Sequence, residues 1–569
     1  MDSGVAPAGQ PSPQDLLAAL RERFGFATFR PGQERIVRDL LAGRDVLAVL
    51  PTGAGKSLPY QLAAQLLPGV TLVVTPLLAL MKDQVESLRA RGVPAEMISS
   101  AQTASEDAAA LDDVRHAEAK LLYVTPERFD DADFVAAMRR LPIALFVVDE
   151  AHCVSEWGHS FRPAYLALGQ AAAALGRPTL LALTATATPW VRQDVIERLG
   201  LRDPDVVVRG MDRPNLFLEV IRVEDEREDR RVLERLLRGD SAGTGEPADD
   251  GLAAGLAEAM QGSGIVYTAT TRAARETAGW LREWGIAADY YHGQRRKADR
   301  ERVQDAFMDG TRRVIVATNA FGLGVDKPDV RFVIHRDVPA NLEAYYQEAG
   351  RAGRDGALAR CTLIYRPGDL GRAAFLGATG ELTRDEVVRG HRGLMARREG
   401  TLRELAAATG LSRGDIARLL GILKAERLVA ERRGRFRLLV PDFDPAAIPL
   451  EAEARRRAYE HSRLEMMRGY AECPACRRRY LLNYFGEEYE AERCGRCDND
   501  LAAPPEAAAP SAAAAEGPFA VNDRVVHAAW GAGVVHRVAG DTLTVLFDQV
   551  GYKTLRSDIV QEQALLQKA

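Results

Sequence analysis

A chain of 569 residues is too long for one hydrophobic core, and at roughly 100–200 residues per domain it should form about three to five folding units. Hydrophobic residues at 47% and charged residues at 27% exclude a collagen-like or wholly disordered polypeptide. A net charge of -5 excludes a uniformly basic coat, so any grip on a polyanion must come from local patches.

The opening stretch, residues 1–14, is rich in Pro, Ala and Gly and lacks a basic start followed by an apolar block, so no signal peptide or membrane anchor is expected. No apolar run reaches the length that spans a bilayer, and no membrane partner is expected. Four of the six cysteines fall in one short segment, which favours metal binding in a reducing compartment over a disulfide framework. The expected location is cytoplasmic.

Between about Ala27 and Gly210, short apolar runs alternate with longer amphipathic stretches, the pattern of a parallel sheet with crossover helices. Val46–Leu50, Leu72–Thr75, Leu121–Thr125, Leu145–Val148 and Leu180–Leu183 are predicted as buried strands. The alternation restarts at Ile265–Tyr267 and continues through Val314–Thr318, Arg331–Ile334 and Thr362–Tyr365, which makes two α/β lobes. Near the start of the second lobe, Asp240–Gly264, rich in Gly, Ala, Asp and Ser, is expected to be a mobile surface loop.

The first predicted strand runs into Leu50-Pro51-Thr52-Gly53-Ala54-Gly55-Lys56-Ser57 and then a predicted helix, the setting a phosphate-binding loop needs. Thr52, Gly53 and Gly55 belong to the loop whose backbone N–H groups close on phosphates, Lys56 brings a cation to the outer phosphates, and Ser57 can hold Mg²⁺. The loop lacks the usual first glycine, since Leu50 stands there. Leu145–Val148 ends in Asp149-Glu150, which places Asp149 to organise Mg²⁺ and Glu150 to orient and deprotonate an attacking water. Just beyond, Trp157 and Phe161 offer ring faces on which single-strand bases stack at about 1–3 kcal/mol each, and His159 and Arg162 offer phosphate or nucleotide contacts.

In the second lobe, Gln347-Glu348-Ala349-Gly350-Arg351-Ala352-Gly353-Arg354 sets two arginines at i and i+3 on one helical face or turn. Arginine binds phosphate bidentately and stays charged, so Arg354 is the first choice for a finger on the γ-phosphate across an interlobe cleft, with Arg351 a second phosphate contact. Lys56, Asp149, Glu150, Gln347, Arg351 and Arg354 form the expected catalytic set.

From His391 to Arg437 there are 12 Lys and Arg against 5 Asp and Glu, the strongest basic segment and the electrostatic candidate for phosphate contact. Residues 401–410, 412–423 and 428–439 follow a helix, turn, helix, β-wing pattern, with Ser412 as N-cap and Arg432-Arg433-Gly434-Arg435 as a cationic hairpin turn. A winged helix that contacts duplex phosphates is expected, or one that only packs on the core. Phe436 alternates with Leu438, which favours a core position over a strand-separating wedge. Further on, Cys473-Pro474-Ala475-Cys476 and Cys494-Gly495-Arg496-Cys497 form two C-x-x-C pairs 17 residues apart, a structural zinc signature. Ala502–Pro518, nearly all Ala, Pro and Glu, is a predicted linker, and Phe519–Val560 a small β-barrel.

These motifs together resemble the RecQ family of DNA helicases. Asp149-Glu150-Ala151-His152 is similar to the signature of the DExH branch of superfamily two, and residues 153–163 are similar to the aromatic-rich loop that couples DNA contact to hydrolysis in the family. Phe24-Gly25-Phe26 and Phe29-Arg30-Pro31-Gly32-Gln33 resemble the family motif in which Gln33 would read the adenine edge while Phe26 and Arg30 flank its faces. Thr75-Pro76-Leu77 with Met81-Lys82-Asp83-Gln84 resembles the strand-contacting motif, Leu183–Thr188 the coupling motif between lobes, and Thr318–Asp326 the motif that grips the tracking strand. The zinc segment resembles that of RecQ proteins, except that the position of the last family ligand holds Asp500. Cys473 is therefore taken as the replacement ligand beside Cys476, Cys494 and Cys497, with Asp500 the alternative. Arg477, Arg478 and Arg479 are either DNA contacts or solvated charges. The winged helix here precedes the zinc segment, the reverse of the usual family order. The final segment resembles the Tudor-like domain of UvrD and PcrA helicases, which implies either an RNA polymerase contact or a small barrel with no partner of its own.

The resemblance implies two tandem RecA-like parallel-sheet lobes: 1–208, which binds ATP, and 209–368. After them come connecting helices and a winged helix over 369–441, a zinc-binding helical module over 442–500, a linker over 501–517 and an SH3- or Tudor-like domain over 518–569. The implied activity is an ATP-dependent DNA helicase moving 3′ to 5′ on single strands and duplex junctions in repair or recombination, with ATP, Mg²⁺ and Zn²⁺ as cofactors. The alternatives are a duplex translocase or protein-displacing remodeller linked to transcription, and a DNA-binding regulator with a degenerate motor.

Overall fold

The computed structural model describes residues 12–51, 53–76, 78–99, 102, 104–116, 118–155, 161–239, 250–321, 327–368, 382–426, 428–432, 434–448, 450–487, 489, 491–502, 518–519, 523–539, 542–547 and 550–568. The chain divides into two compact units, Met1–Pro367 with Met467–Ser511 and Gly368–Met466 with Ala512–Ala569.

In the first unit, strands β1 (Val46–Val49), β2 (Val70–Val74), β3 (Ala95–Ile98), β4 (Leu121–Val124), β5 (Ile143–Val148), β6 (Thr179–Thr184) and β7 (Asp205–Val208) form one sheet in the order β3-β4-β2-β5-β6-β1-β7. Every pairing in it is parallel. Helices cover parallel strands on both faces, which is why β1, β2 and β4 are continuous apolar runs with every residue buried. A second parallel sheet joins β8 (Leu216–Arg222), β9 (Ser263–Tyr267), β10 (Ala288–Tyr291), β11 (Val314–Ala317), β12 (Val330–His335) and β13 (Ala359–Tyr365) in the order β10-β11-β9-β12-β13-β8. The two α/β lobes expected from the alternation are present.

All nine predicted strands form, and the four that the apolar pattern missed, β3, β7, β8 and β10, are the edges of the two sheets. An edge strand is covered on fewer sides, so polar residues such as Glu96, Asp205 and Asp289 interrupt the apolar run there. One expectation is corrected: within Asp240–Gly264, residues 250–259 form a helix, Asp250–Ala259, with Leu256 and Ala259 buried, and β9 begins at Ser263. Leu, Ala and Glu outweigh the interspersed glycines once an apolar face has a surface to cover. Residues 240–249 lie outside the described set.

In the second unit, helices Arg384–Arg397, Leu402–Thr409 and Arg413–Ala425 pack around Leu394, Leu405, Ile416, Leu419 and Leu423. A three-stranded antiparallel sheet flanks them, with β15 (Val429–Arg432) and β16 (Arg435–Leu438) as the wing hairpin and β14 (Glu399–Thr401) beyond β16. Capping boxes at Thr383 with Glu386 and Thr401 with Glu404, and the Ser412 hydroxyl on Asp415 N, start the three helices. Phe436 is partly buried against this core, which makes it a packing residue of the wing. A five-stranded antiparallel sheet, β20-β19-β18-β17-β21, is formed by β17 (Arg524–His527), β18 (Gly531–Ala539), β19 (Thr542–Phe547), β20 (Gly551–Arg556) and β21 (Leu566–Lys568) around Val525, Val535, Val545 and Phe547. Its Tyr552 stacks on Tyr459 of the same unit, ring centroids 6.3 Å apart. Among the described residues no helix is long and apolar enough to cross a membrane.

Candidate nucleotide and metal sites

The nucleotide site grows from the carboxyl ends of β1, β5 and β6, where parallel sheets present their loops. Leu50 N donates to Thr184 O at 3.0 Å, after which the chain turns through Gly53 at φ 86° and Gly55 at φ 73° into the helix Ser57–Leu66. Positive φ at two glycines turns successive peptide N–H groups toward one point, the cradle that phosphate oxygens need. Thr52 lies outside the described residues.

Asp149 closes β5, its N–H donating to Val74 O at 2.8 Å and its Oδ2 accepting from Thr75 Oγ1 at 3.4 Å. Glu150 follows in the left-handed region at φ 50°, an unusual backbone for a side chain of this size, with its Oε2 3.4 Å from His152 Nδ1. The same His152 nitrogen pairs with Thr184 Oγ1 at 2.8 Å, which ties the acid pair to the end of β6. Burial, and then the charge of Glu150, push the Asp149 carboxyl up to about 7 despite the opposing pull of Lys56. The adjacent, partly buried carboxyl groups of Asp149 and Glu150 are oxygen donors of the kind a hard divalent cation such as Mg²⁺ takes.

The second lobe brings its own residues to this site. Gln347, on the helix Leu342–Ala349, donates from Nε2 to Thr186 Oγ1 of the first lobe at 3.1 Å. A Cβ built on Gly53 would stand 3.3 Å from both Cγ and Cδ of Arg354, so that side chain lies on the phosphate loop itself. Arg351 is placed differently: it is buried, with its charge close enough to the Tyr267 hydroxyl of the second lobe to oppose the effect of burial on that group. The turn between the two arginines is clamped by Arg213, which donates to Gly350 O at 3.2 Å and to Ala352 O and Gly353 O at 2.8 Å each. Asn215 Nδ2 adds a bond to Gly353 O at 2.8 Å, and a Cβ on Gly353 would come within 2.4 Å of that nitrogen.

Gln33 is almost fully buried, and its Nε2 donates to Ala54 O at 2.9 Å and Gly55 O at 3.0 Å, so the residue expected at the adenine edge is engaged with the phosphate loop here. Arg30 hydrogen-bonds Gly53 O, and Phe26 is 45% exposed, a ring face open for stacking. Of the expected coupling residues, Trp157 and His159 lie outside the described residues, as do Leu77 and Gly322–Asp326 of the two strand-contacting motifs. Phe161 is half-buried, and Arg162 donates to Pro76 O at 3.0 Å, which anchors the aromatic loop to the segment after β2.

At the cysteine cluster the sequence expectation is corrected. Cys476, Cys494, Cys497 and Asp500 bring one donor atom each within 4.8 Å of one another, and Cys473 is not among them. Cys473 instead donates through Sγ to Ala475 O at 3.5 Å, while Asp500 Oδ2 accepts from Cys494 N at 2.6 Å and Gly495 N at 3.0 Å, which pins it beside the second C-x-x-C pair. Three thiols and a carboxylate fit zinc. A second correction concerns the arginines that follow. Arg477 is paired with Asp498 inside the zinc segment and Arg478 with Asp212 of the interlobe connection at 2.6 Å, both guanidiniums buried, so neither is offered to DNA. Arg479 alone of the three is exposed.

Family models match in chain order: a DEAD/DEAH box helicase over residues 30–195, a helicase conserved C-terminal domain over 250–356 and a RecQ zinc-binding segment over 415–501. The chain is 36% identical over 497 residues to the probable ATP-dependent DNA helicase RecS of Bacillus subtilis, covering 85% of this chain and 92% of that protein. It is 35% identical over 497 residues to the ATP-dependent DNA helicase RecQ of Synechocystis, covering 86% and 98% respectively. The chain belongs to the RecQ family of ATP-dependent DNA helicases.

In this RecQ-family helicase several supporting residues carried no signal in the sequence. Arg213 and Asn215 follow the first lobe in an unremarkable stretch, yet they hold the arginine-bearing turn. Arg192 of the helix Pro189–Leu199 donates to Phe485 O at 2.9 Å, and Glu487 Oε2 accepts from Met211 N at 2.9 Å, so the zinc segment is bonded to the first lobe and to the interlobe connection. No local motif predicts such contacts, because their partners are more than a hundred residues apart.

Proposed function

We propose that this helicase hydrolyses ATP·Mg²⁺ between its two lobes and converts the cycle into 3′-to-5′ movement along one DNA strand, separating duplex DNA in repair or recombination. The observation that carries the reading is the placement of Arg354 on Gly53 of the phosphate loop, together with the Gln347–Thr186 bond from lobe to lobe. Lys56 and the loop N–H groups of Gly53 and Gly55 hold the phosphates, and Ser57 and Asp149 hold Mg²⁺, which neutralises charge on the phosphate oxygens. Glu150 takes the proton of the attacking water, and Arg354 stabilises the charge that develops on the γ-phosphoryl group, with Arg351 on the same turn as the second cation. Phe26 and Arg30 flank adenine, and Gln33 exchanges its bonds to Ala54 O and Gly55 O for the adenine edge when nucleotide enters. Trp157, His159, Phe161 and Arg162 carry strand contact into the site, and Cys476, Cys494, Cys497 and Asp500 bind one structural zinc. Catalytic groups drawn from both lobes mean that hydrolysis needs closure and product release permits opening, which is the source of stepping.

Membership of the family supports the polarity. The test is strand displacement on duplexes with a 3′ or a 5′ single-stranded tail, with ATP and Mg²⁺. Unwinding of 3′-tailed duplex is expected, and activity confined to 5′-tailed duplex overturns the polarity. DNA-stimulated hydrolysis without displacement from any tail would mark a translocase instead.

A further inference from the structure

We propose that Gln84 and Thr75 are positioning residues that hold the two Mg²⁺-binding side chains, so that the segment expected to touch the DNA strand is mechanically joined to the metal site. The inference deepens the reading above and rests on it. Gln84 Nε2 donates to Ser57 Oγ at 3.2 Å, and Thr75 Oγ1 donates to Asp149 Oδ2 at 3.4 Å. The residues assigned to the metal are therefore each bonded from the same ten-residue segment, one from either end. Pro76, next to Thr75, is tied as well, since its carbonyl accepts from Arg162 at 3.0 Å.

The physical argument runs through rotor freedom. A serine hydroxyl presents a lone pair to a cation only in part of its torsional range, and a donor on its other lone pair restricts that range. Gln84 is itself oriented, because its Oε1 accepts from Gln61 Nε2 at 2.9 Å, and Gln61 reaches the buried Tyr123 hydroxyl at 3.4 Å, which pairs with Tyr60 at 3.2 Å. The chain Ser57, Gln84, Gln61, Tyr123, Tyr60 thus ends on two buried rings and cannot swing freely. The helix Leu78–Ala90 buries Met81, Val85 and Leu88 at i, i+4, i+7 spacing, so a push on its first turn moves Gln84 with it and not independently of it. Strand binding at Thr75–Gln84 then changes how Ser57 and Asp149 are presented, and Mg²⁺ affinity and DNA affinity are linked reciprocally.

The test measures binding, not turnover. A fluorescent ADP analogue is titrated with Mg²⁺ on the full chain, with and without a single-stranded oligonucleotide, for the unaltered protein, Gln84→Leu and Thr75→Val. Oligonucleotide affinity and melting temperature are measured alongside. In the unaltered protein the oligonucleotide should shift the half-saturating Mg²⁺ concentration several-fold. Each substitution should raise that concentration by about 3–10-fold, the worth of one hydrogen bond, and largely remove the oligonucleotide-induced shift. Oligonucleotide affinity measured without Mg²⁺ should stay within about twofold, and the gain that Mg²⁺ gives it should shrink with the coupling. Substituted proteins that melt normally and keep both the Mg²⁺ half-point and its shift overturn the link while leaving the motor reading intact. Absence of Mg²⁺-dependent nucleotide binding in the unaltered protein overturns the motor reading itself. If Gln84→Leu fails to fold, Thr75→Val and Gln84→Glu, which cannot donate to Ser57, decide the question by the same readout.

Discussion

Gln347 Nε2 donates to Thr186 Oγ1 across 3.1 Å, a hydrogen bond from the second lobe to the turn that follows β6 of the first. A neutral bond of this kind contributes about 0.5–1.5 kcal/mol, so Gln347→Ala should lower kcat roughly 3–10-fold while leaving nucleotide affinity unchanged. Thr186→Val should do the same, and the double substitution should be no worse than either single one, because both remove one contact. Steady-state hydrolysis with saturating oligonucleotide measures this, and additive losses would refute a shared role.

Arg354 and Arg351 should separate under mutation. Arg354 lies on Gly53, so Arg354→Ala should cost on the order of 10³-fold or more in kcat with nucleotide binding nearly intact, and Lys at 354 should rescue little because it lacks the planar fork. Arg351 is packed against Tyr267, so its loss should also lower the melting temperature. Equal effects of the two substitutions on both readouts would contradict the different placements.

Lys56→Ala should abolish hydrolysis and leave oligonucleotide affinity within a few-fold, since the phosphate cradle and the strand-contacting segments are built from different residues. Anisotropy titration beside a phosphate-release assay checks it. Loss of DNA binding in step with hydrolysis would count against separate sites.

Metal analysis of the purified chain should return one zinc. Cys473→Ser should keep it, Cys476→Ser should lose it, and Asp500→Asn should lower metal retention against a competing chelator. Zinc loss on Cys473→Ser alone would restore the four-cysteine set.

Arg192 has a buried guanidinium, pushed down to about 10 by desolvation, whose bond to Phe485 O joins the helix after the coupling turn to the zinc segment. Arg192→Ala should leave zinc bound but speed backbone hydrogen exchange around Phe485 and Gly486, with a loss of about 1–3 kcal/mol. Unchanged exchange there would show that the segment docks by other contacts.

How much of this was legible in the amino-acid order follows from which residues are neighbours in it. Gly53-Ala54-Gly55-Lys56-Ser57 after an apolar strand, Asp149-Glu150 at the end of another, and Gln347 to Arg354 are contiguous groups whose spacing alone sets their local geometry, so their chemistry could be read directly. The strands at sheet centres were equally plain, because burial on two faces demands an unbroken apolar run.

Tertiary structure decided what depends on distance between remote residues. It put Arg354 on the phosphate loop and Arg351 inside its own lobe, although the two stand three positions apart. It gathered Asp500 with Cys476, Cys494 and Cys497 and left Cys473 outside that group, which residue type alone does not decide. It buried Arg477 and Arg478 in ion pairs that the sequence offered equally to DNA. Residue type states what a side chain is able to do, and only the packing of the chain determines which partners come close enough for it to be done.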